Sequence, residues 1–187
     1  MLYEVLRGIA RAYYALVHPI RVTGKENLPA EGGYILAANH TSFRDPIVLC
    51  CALDRRVSFM AKKELFRLKP VSAFLKALGA FPVDRGAGDI AALRGAVQIL
   101  KSGEILGIFP EGHRFKKGEE RTVHTGTALI MTRAKVPAVI ARIDTDYKPF
   151  RRVNVTISKL VYTPPEGAKA SEQITECTAL ISKALGV

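Results

Sequence analysis

Leu2, Val5, Leu6, Ile9, Ala10, Tyr13, Leu16 and Val17 recur at helical spacing, while Arg7, Arg11 and His18 flank them on another side. The period predicts an amphipathic helix over residues 1–18. Such a helix either packs on the core as a first element, or lies in a lipid interface with Arg7 and Arg11 reaching headgroups. Past Pro19 the pattern shortens. Ile20 to Thr23 reads as a strand, Asn27 to Gly33 carries the Pro and Gly punctuation of a loop, and Tyr34 to Ala38 is short and apolar enough for a buried strand. Asp45 and Pro46 open a helix running to Leu53, because Asp is a favoured cap and Pro suits the first helical position.

Val57 to Ala61 predicts another strand, Leu65 to Leu78 a helical region interrupted near Pro70, and Ala80 to Val83 a strand after Gly79. Asp89 is placed to cap a helix bearing Ile90, Leu93, Ala96, Val97 and Leu100, which Ser102 and Gly103 stop. A strand over Ile105 to Phe109, a helix over Gly126 to Lys135 and a buried strand over Val136 to Ile143 follow. Val153, Val155 and Ile157 alternate with polar residues, as in a half-exposed strand. Ser171 is positioned to cap a last helix from Glu172 to Leu185. Strand and helix units of this length predict an α/β class, with one domain over residues 19–187 built on a mostly parallel sheet covered by helices.

At 187 residues the chain is long enough to bury roughly two-thirds of its unfolded surface without a staple. Cys50 and Cys51 are adjacent and Cys177 is remote, with no zinc spacing, so the cysteines read as reduced and buried and no metal is expected. A formal charge of +11 calls for an anionic partner. The basic residues are spread along the chain with few aromatics between them and no nucleic-acid signature, so an anionic membrane surface ranks above nucleic acid. No run approaches the ~18 to 20 apolar residues of a spanning helix, and no signal-peptide pattern opens the chain. A peripheral position on the cytoplasmic face of the cell membrane is the expectation.

In parallel sheets, ligands gather at the loops leaving the carboxyl ends of strands. Three such loops carry chemistry. The first runs from Asn39 through His40 to Asp45, where the carboxylate is spaced to orient the imidazole so that it serves as a base. No G-x-S-x-G nucleophile accompanies it, which suits a substrate that brings its own hydroxyl. The second delivers Arg85 into a glycine-bearing loop, and a guanidinium is suited to bidentate capture of phosphate. The third is Phe109-Pro110-Glu111-Gly112-His113-Arg114-Phe115, with Lys116 and Lys117 beyond it. Taken singly, each has a bland reading as a helix cap, a surface arginine or a solvated basic turn.

The set closely resembles the bacterial 1-acyl-glycerol-3-phosphate acyltransferases of the wider glycerolipid acyltransferase family. That family's motifs are N-H-x-x-x-x-D, a glycine-to-arginine block, F-P-E-G followed by arginine, and a proline-containing apolar strand. They correspond here to Asn39 to Asp45, Gly79 to Arg85, Phe109 to Arg114 and Val136 to Ile140, and the likeness runs from about Ile20 to Ile143. His113 and Phe115 flank Arg114 where the family usually has small hydroxyl residues, and the fourth motif lacks the usual second proline.

The resemblance implies that His40 takes the proton of a glycerol hydroxyl, that Asp45 orients it with Asn39 in support, and that no acyl-enzyme forms. It also implies that Arg85, Glu111, Gly112 and Arg114 shape a phosphate pocket. The acceptor would be lysophosphatidate and the donor an acyl-CoA or acyl carrier protein thioester, giving phosphatidate for phospholipid synthesis with no bound cofactor. Glycerol 3-phosphate or another lysolipid is the rival acceptor. A noncatalytic membrane-binding protein is the rival of a different class.

Overall fold

The computed structural model describes residues 2–83, 90–115, 119–158 and 169–187. Its core is a seven-stranded sheet: β1 (Ile20–Thr23), β2 (Tyr34–Ala38), β3 (Val57–Lys62), β4 (Ala80–Val83), β5 (Ile105–Ile108), β6 (Ala138–Asp144) and β7 (Val153–Ile157), ordered β1-β7-β6-β2-β5-β3-β4. Neighbours are parallel except β6 and β7, which pair antiparallel. The carboxyl ends of β2, β3, β4, β5 and β6 therefore all point the same way.

β2 is buried at every position. Alternate side chains serve two cores, as the strand period of two requires. Tyr34, Leu36 and Ala38 join the core under α1 (Leu2–Val17) and α2 (Asp45–Ala52). Ile35 and Ala37 join the opposite core, with residues of α4 (Ile90–Lys101), α5 (Gly126–Ala134) and α6 (Ala170–Leu185). Burial on both faces is why this strand reads as a continuous apolar run. The mostly parallel α/β architecture is the one the sequence predicts.

The region broken near Pro70 resolves into a 3-10 turn, Lys63–Phe66, and a helix α3 (Lys69–Ala77) with Pro near its start. Neither contains a buried residue. Two caps differ from expectation. α6 begins at Ala170 with Lys169 as its N-cap, so Ser171 lies inside the helix and does not cap it. Arg44 occupies the N-cap of α2, and Asp45 is the first helical residue. The expected cap at Asp89 lies outside the described residues.

The arginines of α1 reach the end of the neighbouring helix. Arg11 donates from Nε to the Cys51 carbonyl at 3.0 Å and from Nη2 to the Leu53 carbonyl at 2.8 Å, while Arg7 donates to the Asp54 carbonyl at 2.6 Å. These are the unpaired carbonyls at the end of α2, which attract cations. Arg7 also pairs with Glu4. Both guanidiniums are thus engaged by carbonyls at and just past the end of α2. With Tyr3 and Tyr14 as the buried anchors, Leu2, Val5, Ile9, Tyr13 and Leu16 are left exposed, Leu16 at 77%.

Candidate active site

The first loop turns tightly because one carboxylate gathers it. Asp45, with no exposed surface, accepts at Oδ2 from the backbone N–H groups of Thr41 and Ser42, each at 2.7 Å. The same oxygen lies 2.9 Å from His40 Nδ1. An ionised carboxylate only accepts, so Nδ1 carries the proton and Nε2 keeps its lone pair. No described residue hydrogen-bonds Nε2, and the His40 side chain retains 15% exposure. Held in this way, the ring is suited to take a proton from a bound hydroxyl.

Asn39 clips the loop to the far side of the site. Its amide donates to the Ile143 carbonyl at 2.9 Å and accepts the Ile143 N–H at 2.7 Å, joining the end of β2 to β6. The His40 ring stacks on Phe109 with centroids 4.0 Å apart, and Phe109 in turn stacks on Phe59 at 5.9 Å.

The third loop supports His40 from below. Glu111, buried, accepts the His40 N–H at Oε2 at 2.9 Å, while its Oε1 takes Nε and Nη2 of Arg121 at 2.9 and 2.6 Å. Burial raises the Glu111 carboxyl above its ordinary range, against the pull of Arg121 and the His40 amide. Both oxygens are thus engaged within the chain, one by the His40 amide and one by Arg121, so Glu111 braces the His40 backbone. Gly112 closes a turn by donating to the Phe109 carbonyl at 3.0 Å, with φ of 72°, a conformation that glycine adopts without strain. Its part is the shape of the turn.

Arg114 does lie beside the first loop. Its guanidinium sits 3.3 Å from the centroid of the exposed Phe43 ring, and the next residue, Phe115, donates its N–H to the His40 carbonyl at 3.2 Å. The arginine is exposed and available to an anion. Arg85, Lys116 and Lys117 lie outside the described residues.

Two residues that sequence reasoning did not single out complete the site. Arg121 is one, on a segment that returns so that His124 N–H meets the Pro110 carbonyl at 2.9 Å. Tyr147 is the other, donating its hydroxyl to Asp45 Oδ1 at 2.5 Å from beyond β6. Tyr147 had no local signal, since Asp45 lies 102 residues away, and Arg121 reaches Glu111 across ten residues without a periodic pattern to mark the pair.

A parallel α/β sheet with an imidazole–carboxylate pair at its carboxyl edge is a framework for general-base group transfer. A family model described as Acyltransferase matches residues 19–143, and the chain belongs to that family. It is 36% identical over 141 residues to the 1-acyl-sn-glycerol-3-phosphate acyltransferase of Bacillus subtilis, covering 75% of this chain and 70% of that one. It is 32% identical over 140 residues to the protein of that name from Streptococcus pneumoniae, of whose length it spans 52%. The fold matches the crystal structure of the 1-acyl-sn-glycerophosphate (LPA) acyltransferase PlsC from Thermotoga maritima with a TM-score of 0.75 at 21% identity, over 98% of this chain and 78% of that one.

Proposed function

We propose that this chain transfers a fatty acyl group from a thioester donor to the free hydroxyl of lysophosphatidate, giving phosphatidate and a thiol. The observation that carries the reading is the His40–Asp45 contact of 2.9 Å, with Nε2 uncommitted among the described residues at the carboxyl edge of a parallel sheet. In the proposed step His40 Nε2 accepts the hydroxyl proton as the oxygen attacks the thioester carbonyl. The C–S bond then breaks and the imidazolium returns its proton to the departing thiolate. Asp45 remains ionised throughout and steadies the positive ring. General-base assistance of this kind is worth about 10²- to 10⁴-fold in rate.

Arg114 serves the acceptor phosphate in this reading, supported by its exposure and its seat on Phe43 beside the His40 loop. Arg85 is proposed for the same pocket on the motif it occupies. The donor is acyl-CoA or acyl carrier protein, both anionic and both drawn to a chain of charge +11. The residues of this site require no bound metal or cofactor for the step described.

No helix among the described residues is long and apolar enough to cross a membrane. We propose a peripheral position on the cytoplasmic face of the cell membrane. The exposed stripe of α1 supports it, together with Phe43, Leu65, Leu68 and Phe150 in the loops that follow β2, β3 and β6. Those four follow the carboxyl ends of their strands, the edge that carries His40, in a strongly basic chain, which suits an anionic lipid surface. The three free, buried cysteines fit a reducing compartment.

The test is thiol release by purified protein mixed with lysophosphatidate and an acyl thioester. His40→Ala is expected to abolish turnover with the fold retained. Arg114→Ala is expected to raise KM for lysophosphatidate while leaving KM for monoacylglycerol unchanged. Thiol release by His40→Ala at the parental rate would remove the general-base reading, and an unaltered acceptor preference would remove the phosphate role of Arg114.

A further inference from the structure

Tyr147 lies beyond the 19–143 family match and outside every motif described above. Its hydroxyl nevertheless reaches Asp45 Oδ1 at 2.5 Å. The two oxygens of Asp45 are served unequally. Oδ2 meets the amides of Thr41 and Ser42 and the His40 ring, whereas Oδ1 has Tyr147 as its donor among the described residues. With Oδ2 pinned by three groups, the position of Oδ1 sets the plane of the carboxylate. A donor bonds best near that plane, so the same oxygen decides how well His40 Nδ1–H is aligned.

The surroundings hold Tyr147 to this contact. Its backbone takes φ of 52°, uncommon for a residue other than glycine, and its N–H donates to Thr145 Oγ1 at 3.0 Å. Arg44 donates to its carbonyl at 3.4 Å and sits 5.5 Å from its ring centroid, while the His18 ring meets it edge-on at 6.4 Å. A strained backbone kept in place by three neighbours marks a conformation that the fold over-determines. Burial, and then the negative charge of Asp45, raise the phenol well above its ordinary range, so the hydroxyl stays protonated and donates.

We propose that Tyr147 is a positioning residue for the acyl transfer: its O–H fixes the plane of the Asp45 carboxylate, which lines up His40 Nδ1–H and aims Nε2 at the acceptor hydroxyl. The role rests on His40 being the general base. It extends the pair to an ordered chain of three side chains, the third supplied from the loop between β6 and β7.

The experiment compares the parent chain with Tyr147→Phe, Tyr147→His and His40→Ala, using lysophosphatidate and an acyl thioester. Tyr147→Phe is expected to lower kcat about tenfold, the scale of one hydrogen bond to a charged group, with KM for both substrates within about twofold. Tyr147→His keeps a ring N–H donor and is expected to recover part of that loss. In ¹⁵N-histidine spectra, assigned through His40→Ala, the fraction of His40 in the Nδ1–H tautomer is expected to fall in Tyr147→Phe. A parental kcat and tautomer in Tyr147→Phe, with His40→Ala inactive, would overturn the role of Tyr147 and leave the general base standing. Losses shared equally between kcat and KM, with the tautomer unchanged, would assign Tyr147 to packing alone and overturn it too. Activity in His40→Ala would instead remove the base itself. If Tyr147→Phe does not fold, Tyr147→His decides: a partial fall in kcat together with a partial fall in the Nδ1–H fraction supports the role, and a change in one without the other, or in neither, sinks it.

Discussion

The main-chain N–H of His40 donates to Glu111 Oε2 at 2.9 Å, across 71 residues of chain. Because the other Glu111 oxygen binds Arg121, the placing of the His40 backbone depends on that ion pair. This relationship gives the glutamate of the third loop a bracing task beside the general base.

Glu111→Gln is expected to lower kcat and the unfolding midpoint together, since one amide oxygen cannot serve His40 and Arg121 as two carboxylate oxygens do. KM for the phosphate-bearing acceptor should change less than in Arg114→Ala. The pH dependence has a defined sign. Burial holds the folded Glu111 carboxyl above its unfolded value, so its contribution to stability is complete below the unfolded range and is lost as pH rises through the folded one. Thermal unfolding of parent and variant across mildly acidic pH should therefore show the parent's advantage largest at the acid end and narrowing upward.

Gly107 of β5 faces Phe59 in register on β3, and a Cβ there would overlap the Phe59 ring. That ring backs Phe109, which backs His40. Gly107→Ala is expected to cost about 1–3 kcal/mol of stability, as overpacking commonly does, and to lower kcat through the displaced stack. Adding Phe59→Leu should restore part of both, which urea unfolding and initial rates would reveal.

The two sides of α1 should respond differently to substitution. Arg11→Ala unpairs carbonyls at the end of α2 and is expected to destabilise the protein by about 1–3 kcal/mol. Leu16→Glu alters a residue 77% exposed and should leave the unfolding midpoint nearly unchanged. In vesicle sedimentation with anionic lipid the order reverses, and Leu16→Glu is expected to bind several-fold more weakly while Arg11→Ala that remains folded binds as the parent does.

Burial pushes the Cys50 and Cys177 thiols up to about 11. At pH 8 they are expected to ignore a disulfide reagent until denaturant is added. A raised folded value means the stability these thiols contribute is present below the unfolded thiol range and is lost as pH climbs towards 11. Unfolding midpoints should fall over that alkaline interval, and Cys177→Ala should reduce the slope.

Much of the framework was legible along the chain, because strands and helices announce themselves by local period. Tyr34–Ala38 is an unbroken apolar run since helices cover both faces, and Ile20–Thr23 and Ala80–Val83 are bounded by Pro or Gly. His40 and Asp45 were legible as a pair for the same reason, since five residues of tight loop bring them together without help from the rest of the fold. The direction of α1 was not. Period shows that a helix has an apolar side, but which side meets the protein depends on the partners waiting there, and here those are the end carbonyls of α2, which want cations.

The sequence alone determined the order of elements, the parallel α/β class and the close spacing of imidazole and carboxylate, all of which follow from interactions between near neighbours. Only the tertiary structure decided that Glu111 lies beneath His40, that Arg121 answers it, and that Tyr147 closes the Asp45 carboxylate from 102 residues away. The contacts of Glu111 with His40 and of Tyr147 with Asp45 join the ends of different parallel strands, whose order is set by how the two cores pack rather than by any period along the chain, while Arg121 reaches Glu111 across ten residues between β5 and α5.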